Sequence, residues 1–241
     1  MKPTADVRTR QARHVRPGSL LLIGITAILF ALQAAVAQAA GTPHPMPDPN
    51  PGGPQFASGN NGVKGSSGSA RTINQGNGGQ GAQLTSVNYG FGLVSVPFPK
   101  TATFSQLTNL STNYTMTQGI CSGGSPRFQV DLLPPGDKKL KDAISFYVYF
   151  GTQPYGGCSS GGPQNQPNVA SDTSAAAWWL VTSAGVSNSA ETYSVAEAQY
   201  GNYQLLDVQI AADGGWANGG TQQVAVNDWN VNTTSYFPSP S

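Results

Sequence analysis

Histidine, the side chain most often used for proton transfer near neutral pH, stands at two positions in this 241-residue chain, His14 and His44. Both precede residues 83–237, the stretch patterned as a folded domain. Ser-His-acid and Cys-His nucleophilic catalysis, histidine-ligated zinc or copper, and imidazole acid–base work are therefore excluded from that domain. Carboxylate chemistry remains, the route of most glycoside hydrolases, which needs two carboxyl groups ~5 to 9 Å apart. The candidates are Asp131, Asp137, Asp142, Asp172, Glu191, Glu197, Asp207, Asp213 and Asp228. Asp137 and Asp142 sit among Lys138, Lys139 and Lys141, the pattern of a solvated loop. Asp213 precedes Gly214-Gly215 and suits a turn. Asp131 and Asp207 fall within predicted strands, but no spacing pairs them.

Asp207, Asp213 and Asp228, with Asn227, also supply hard oxygen ligands near the predicted closing hairpin. A structural calcium ion is one expectation for them, and ordinary turn and edge-strand roles are the other. No run of acids at alternate positions of the EF-hand kind exists. Arg127, the only arginine beyond Ala82, reads as the ion-pair partner of a nearby carboxylate.

Four tryptophans, Trp178, Trp179, Trp216 and Trp229, stand in a domain otherwise rich in amides and hydroxyls. Adjacent strand residues face opposite ways, so Trp178 and Trp179 both enter a core only if their strand is buried on both faces. Trp216 lies between Asp213-Gly214-Gly215 and Asn218-Gly219-Gly220, where it either plugs one end of the fold or meets a ligand. A flat aromatic ring takes the apolar face of a sugar while amides and hydroxyls bond its hydroxyl groups. Trp178, Trp179 and Trp216 are thus the candidate ligand-binding residues, and at least one of them is expected to be exposed.

The elements that hold these residues begin after a processed N-terminus. Lys2, Arg8, Arg10, Arg13 and Arg16 precede an apolar run, Leu20 to Leu32, and then the small residues Ala34 to Ala40. This is the three-part pattern of a secretory signal peptide, with cleavage expected after Ala39 or, second, after Ala37. A retained membrane anchor is the competing reading. Losing residues 1–39 removes five of the twelve Lys and Arg but one of the eleven Asp and Glu, which leaves a mildly acidic chain. Without a basic stripe, nucleic acid and anionic membranes are excluded as partners. An exported chain folds where thiols oxidise, so Cys121 and Cys158 are expected to pair. Closing that loop contributes roughly 4 kcal/mol in the chain-entropy model.

Residues 40–82, with five alternating prolines from Pro43 to Pro51 and then mostly Gly, Ser, Asn and Gln, read as a disordered tether. The run Gly76 to Gly81 matches a dinucleotide-fingerprint spacing by chance, because no predicted strand leads into it. From Leu84, eight β-prone runs follow: Leu84–Val96, Ala102–Leu110, Asn113–Thr117, Arg127–Leu133, Ala143–Phe150, Ala176–Thr182, Tyr203–Ala211 and Gln222–Val231. Turn clusters between them give the signature of an all-β sandwich or barrel. Ile144, Phe146, Val148 and Phe150 alternate with Ser145, Tyr147 and Tyr149, which predicts a mid-sheet strand. Ser194 and Glu197 have capping-box spacing, and Gly201 suits a left-handed stop, so one short helix is expected over Ser194–Tyr200.

Two stretches carry a resemblance. Cys121-Ser122-Gly123-Gly124-Ser125-Pro126-Arg127-Phe128 resembles a strand opening of secreted bacterial β-sandwich domains that lack an assigned activity. Asp213-Gly214-Gly215-Trp216 and then Gln223 to Val231 resemble the last hairpin of jelly-roll domains, carbohydrate-binding modules among them. Asn227 stands where Asp is usual there, and Trp229 where an aliphatic residue is usual. The resemblance covers roughly Phe104 to Phe237, and together with the strand pattern it implies an antiparallel two-sheet sandwich of jelly-roll type over 83–237, with a short tail over 238–241. The expected function is an extracellular, non-catalytic binding domain for polysaccharide or surface glycan. A carboxylate-dependent glycan hydrolase or lyase and a structural or adhesive surface protein are the alternatives.

Overall fold

Alternation decides where most of this chain goes. In the computed structural model, Ile144–Tyr149 forms a strand whose Ile144, Phe146 and Val148 are buried while Ser145, Tyr147 and Tyr149 are half-buried on the other face. The structure describes residues 53–239 apart from 76–77, 123, 152–157, 172–178, 183–189 and 218. The signal-peptide and proline-tract expectations, Asp172, Trp178 and the first two residues of the Gly76–Gly81 run lie outside the described residues.

Thirteen strands form among the described residues: β1 Gln55–Gly59, β2 Ser67–Asn74, β3 Gln80–Val87, β4 Phe91–Pro97, β5 Leu110–Gln118, β6 Arg127–Leu133, β7 Ile144–Tyr149, β8 Gln164–Gln166, β9 Trp179–Thr182, β10 Ala190–Glu191, β11 Gln204–Ala212, β12 Thr221–Val231 and β13 Thr234–Tyr236. Sheet A has the order β1-β4-β11-β6-β7-β9-β10, and sheet B the order β2-β3-β12-β5-β8, with β13 also on β12. All these pairs are antiparallel. The pair β3 with β12 in sheet B nests over the pair β4 with β11 in sheet A, the jelly-roll arrangement that the resemblance implies. Phe104, Phe128, Phe146, Leu84, Leu110 and Ile210 are fully buried in the core. No helix of the described residues is long and apolar enough to cross a membrane.

Three expectations need correction. Residues 53–82, read as tether, carry β1, β2 and the start of β3. Their composition lacks apolar side chains, but β2 needs few: it is an edge strand bonded to β3 along its whole length. A Cβ on Gly68 would lie 1.8 Å from the Phe91 carbonyl oxygen, so glycine is what lets β2 lie against β4. The second correction concerns Ala102–Leu110, which makes a 3-10 turn over Phe104–Gln106 instead of a strand. There the Gln106 carbonyl oxygen Oε1 accepts a hydrogen bond from the Thr103 backbone N–H at 2.9 Å. Likewise, Leu84–Val96 is two strands in different sheets, broken where Asn88 takes a left-handed turn at φ 50°.

The helix, α1, spans Tyr193–Tyr200 with Thr192 as its first cap residue, so the capping box on Ser194 does not form. Gly201 ends it in right-handed geometry, φ −56°. Its glycine is needed for space, since a Cβ would lie 2.5 Å from the Glu197 carbonyl oxygen. Cys121 and Cys158 form a disulfide, Cα–Cα 5.3 Å, between the β5–β6 and β7–β8 connections. Gly151 makes room for it: a Cβ there would lie 2.5 Å from the Cys158 Cα.

Candidate ligand-binding surfaces

Strand alternation that buries Phe128, Val130, Val208 and Ile210 turns Gln129, Asp131, Asp207 and Gln209 to the outer face of sheet A. Register then aligns them across strands. Gln209 faces Gln129, which faces Tyr147, and Asp207 faces Asp131, which faces Ser145. The Gln209 amide donates to Asp131 Oδ2 at 2.9 Å and to Asp207 Oδ1 at 3.0 Å. Gln129 donates to both Asp131 oxygens at 3.1 Å, and the Ser145 hydroxyl donates to Asp131 Oδ1. Both amides spend their N–H groups on carboxylates.

Burial first, and the neighbouring Asp131 second, push the Asp207 carboxyl up to about 7 against the lowering effect of the Gln209 hydrogen bond. The protonated form of Asp207 is thus favoured well above the range in which an isolated aspartate ionises. The pair is hydrogen-bonded together, unlike the acid and nucleophile of glycoside hydrolases, which stand ~5 to 9 Å apart. Beside it, the Arg127 guanidinium lies 4.1 Å from the centre of the Tyr147 ring, a cation–π contact that fixes the ring. Arg127 also makes the expected ion pair, 2.6 Å to Asp213. Burial works against the Arg127 charge, and the Asp213 carboxylate outweighs it.

A second surface occupies one end of the sandwich, where the β1–β2, β3–β4, β5–β6 and β11–β12 connections meet. Trp216, on the short 3-10 turn Gly215–Ala217, is 52% exposed, and Tyr89, in the β3–β4 turn, is 51% exposed. Their rings are parallel within 2°, with centroids 6.3 Å apart. Buried polar groups brace these loops. The Ser86 hydroxyl donates to the Gly90 carbonyl at 2.6 Å and accepts from the Gly215 N–H at 3.0 Å, joining the two loops that carry the rings. Gln222 accepts from the Ser125 hydroxyl and the Gly214 N–H and donates to the Ile120 and Ser125 carbonyls. The Tyr89 N–H donates to Ser66 Oγ, and the Tyr89 carbonyl accepts from Asn61. Ser66, Ser86, Ser125 and Gln222 are all buried. Satisfied buried networks of this kind hold a loop in one conformation.

The predicted site residues do not converge. Trp179 is fully buried against Phe104, Phe146 and Tyr193, and its indole N–H donates to the Val169 carbonyl at 3.1 Å, so it is core and not a ligand platform. Trp229 is core too, packed on Tyr236. Of the three calcium candidates, Asp207 faces Asp131 on sheet A, and Asp213 is paired with Arg127. Asp228, at a bulge of β12, accepts from the Ser239 N–H and hydroxyl and from Asn113. Burial pushes the Asp228 carboxyl up, but these hydrogen bonds prevail and hold it below the usual range. Among the described residues, no three His, Cys, Asp or Glu side chains gather as a metal site. Sequence reasoning missed Tyr89, Tyr147 and the Asp131–Asp207 pair; the alternation of β7 was the one signal for Tyr147.

The residues thus define a jelly-roll β-sandwich with two ordered polar and aromatic surfaces. No protein-family description matches the chain, and no curated protein matches it. Among solved structures, it is similar to the family 11 carbohydrate-binding module of the cellulosomal cellulase Lic26A-Cel5E of Clostridium thermocellum. That likeness covers 75% of this chain and 89% of the other, at 12% identity and a TM-score of 0.40. A family 11 module from Clostridium thermocellum in complex with a beta-1,3-1,4-mixed-linked tetrasaccharide is similar over 75% of this chain and 90% of its own, at 11% identity and a TM-score of 0.39. The family 11 xylanase from Neocallimastix patriciarum is similar over 75% of this chain and all of its own, at 14% identity and a TM-score of 0.27.

Proposed function

We propose that this chain is a secreted, non-catalytic domain that binds a neutral polysaccharide across the outer face of sheet A. The observation that carries this reading is the strip in which Tyr147, Gln129, Gln209, Ser145 and the Asp131–Asp207 pair lie side by side on three adjacent strands. A polyhydroxylated chain presents hydroxyl donors and apolar C–H faces, and the strip sets carboxylate oxygens as acceptors beside an aromatic ring. The hydrogen-bonded closeness of the two carboxyl groups disfavours a hydrolase, which separates them to act on opposite sides of the sugar. The extracellular location rests on the signal-peptide pattern of residues 1–39.

The test is a panel of cellulose, mixed-linkage β-glucan, xylan and chitin, scored for retention of the purified protein and for release of reducing sugar. Retention on at least one polysaccharide without sugar release is expected. Tyr147→Ala is expected to weaken it about tenfold or more while the thermal unfolding midpoint stays near that of the native protein, as loss of one aromatic contact in a sugar site does. Reducing-sugar release that Asp131→Asn abolishes points instead to the hydrolase.

A further inference from the structure

We infer that the Tyr89–Trp216 pair is a second, independent sugar-contact surface, so that one domain holds two polysaccharide segments at once. This rests on the polysaccharide-binding reading above but uses none of the residues of the sheet A strip. Four of the six large apolar side chains most exposed among the described residues, Val63, Tyr89, Ile120 and Trp216, lie on the four connections at this one end. Single exposed apolar residues are ordinary on a protein surface; their gathering on one end marks a contact surface.

The surroundings select the occupant. The described residues of these four connections carry two charged side chains, Lys64 and Asp213, and Asp213 is neutralised by Arg127. The remaining polar groups are amides and hydroxyls, among them Asn60, Asn61 and Asn88. An uncharged, hydroxylated ligand with an apolar face matches that rim, whereas a phosphate-bearing or strongly charged partner finds no complement. The rings are also held ready. Ser86 bridges the two loops that carry them, and Asn88 adds two further ties: its N–H donates to the Gly220 carbonyl at 2.7 Å, and its amide donates to the Gly65 carbonyl at 2.7 Å. Parallel rings fixed before the ligand arrives lower the ordering cost of binding.

Two sites on one rigid body predict behaviour that one site cannot give. A short, soluble oligosaccharide fills each site separately, while an insoluble polysaccharide offers neighbouring segments to both, and the second contact becomes intramolecular. Retention on the solid then exceeds what the affinity for the soluble fragment implies.

The experiment titrates the full-length protein calorimetrically with the tetrasaccharide of whichever panel polysaccharide retains it, and compares retention on the solid. The native protein is expected to bind two tetrasaccharides, and Trp216→Ala, Tyr89→Ala and Tyr147→Ala one each. Trp216→Ala is expected to lose at least ~tenfold in retention on the solid while its remaining site keeps the native affinity. Because Trp216 and Tyr89 are half exposed, their replacement leaves the unfolding midpoint nearly unchanged, and two variants guard against a local defect in either. One tetrasaccharide per native domain, with Trp216→Ala indistinguishable in retention, overturns the second site and leaves the sheet A reading intact. Sedimentation that shows a native dimer dissociated by Trp216→Ala, with sugar stoichiometry unchanged, overturns it in favour of a second copy of the chain as occupant. Failure of every polysaccharide in the panel to retain the native protein overturns both readings together.

Discussion

Asp207 sits where the ladder between β11 and β6 slips its register, directly opposite Asp131. Its carboxyl is raised from 3.8 to about 7, first by burial and then by its neighbour, so the folded state prefers the protonated form more than the unfolded chain does. Stability from this group is therefore complete below about pH 4 and is lost as the pH rises through about 7. Asp207→Asn, which keeps the shape and cannot ionise, is expected to remove that loss, on the order of 2 to 4 kcal/mol. Urea unfolding at pH 5 and pH 8 checks it: the stability difference between the two pH values shrinks in the variant. An unchanged difference means that the fold does not hold the Asp207 carboxyl in its protonated form. No single sequence pairs two aspartates 76 positions apart, because register is a property of two strands. Trp179 was legible only as half of an alternating pair, and its burial follows from α1 and Phe104 closing over it, which no local pattern announces.

At the scale of elements, strands with an apolar face were readable and strands without one were not. β6, β7, β11 and β12 begin and end within a residue or so of where alternation predicts. β2 escaped because its stability comes from backbone bonds to β3 and from close approach to β4, and neither leaves a hydrophobic trace. The expected consequence is a sharp contrast between two glycines. Gly68→Ala pushes a methyl group against the Phe91 carbonyl and is expected to lower the urea midpoint by the equivalent of ~1 to 3 kcal/mol. Gly161→Ala, which meets nothing within 4 Å, is expected to stay within ~0.5 kcal/mol of the native protein. Equal effects at the two positions mean that β2 does not lie against β4. The 3-10 turn at Phe104–Gln106 was hidden for a different reason: its apolar Ala102 and Phe104 have strand spacing, and Gln106 decides otherwise by bonding the Thr103 N–H.

For the whole molecule, the disulfide joins connections that each pass between the two sheets, β5 to β6 and β7 to β8. Replacing Cys121 and Cys158 together by Ser is expected to cost ~2 to 5 kcal/mol and to lower the melting temperature by about 5 to 15 °C. A calorimetric midpoint within a degree or two of the native one rules out that contribution. The compartment argument pointed to this bond, and the jelly-roll arrangement was foreshadowed by the closing-hairpin resemblance. The nesting of strands between sheets depends on contacts far apart in the chain, which only the folded structure brings out.

The strand β1 leads toward the end that holds Tyr89, since Gly59 pairs with Phe91, and Phe56 on that strand meets Phe237 at a ring distance of 6.1 Å. The first strand and the segment after the last one are therefore neighbours in space, and both are set back from the loops that carry Trp216. A pull transmitted from a ligand on those loops to the chain beyond Phe56 or Phe237 runs lengthwise along the strands. It loads the hydrogen bonds of a ladder in parallel, so that many must fail together instead of one after another. A fold arranged this way meets tension as a lap joint does, by shear, and its resistance to rupture is set by strand length more than by the strength of any single contact.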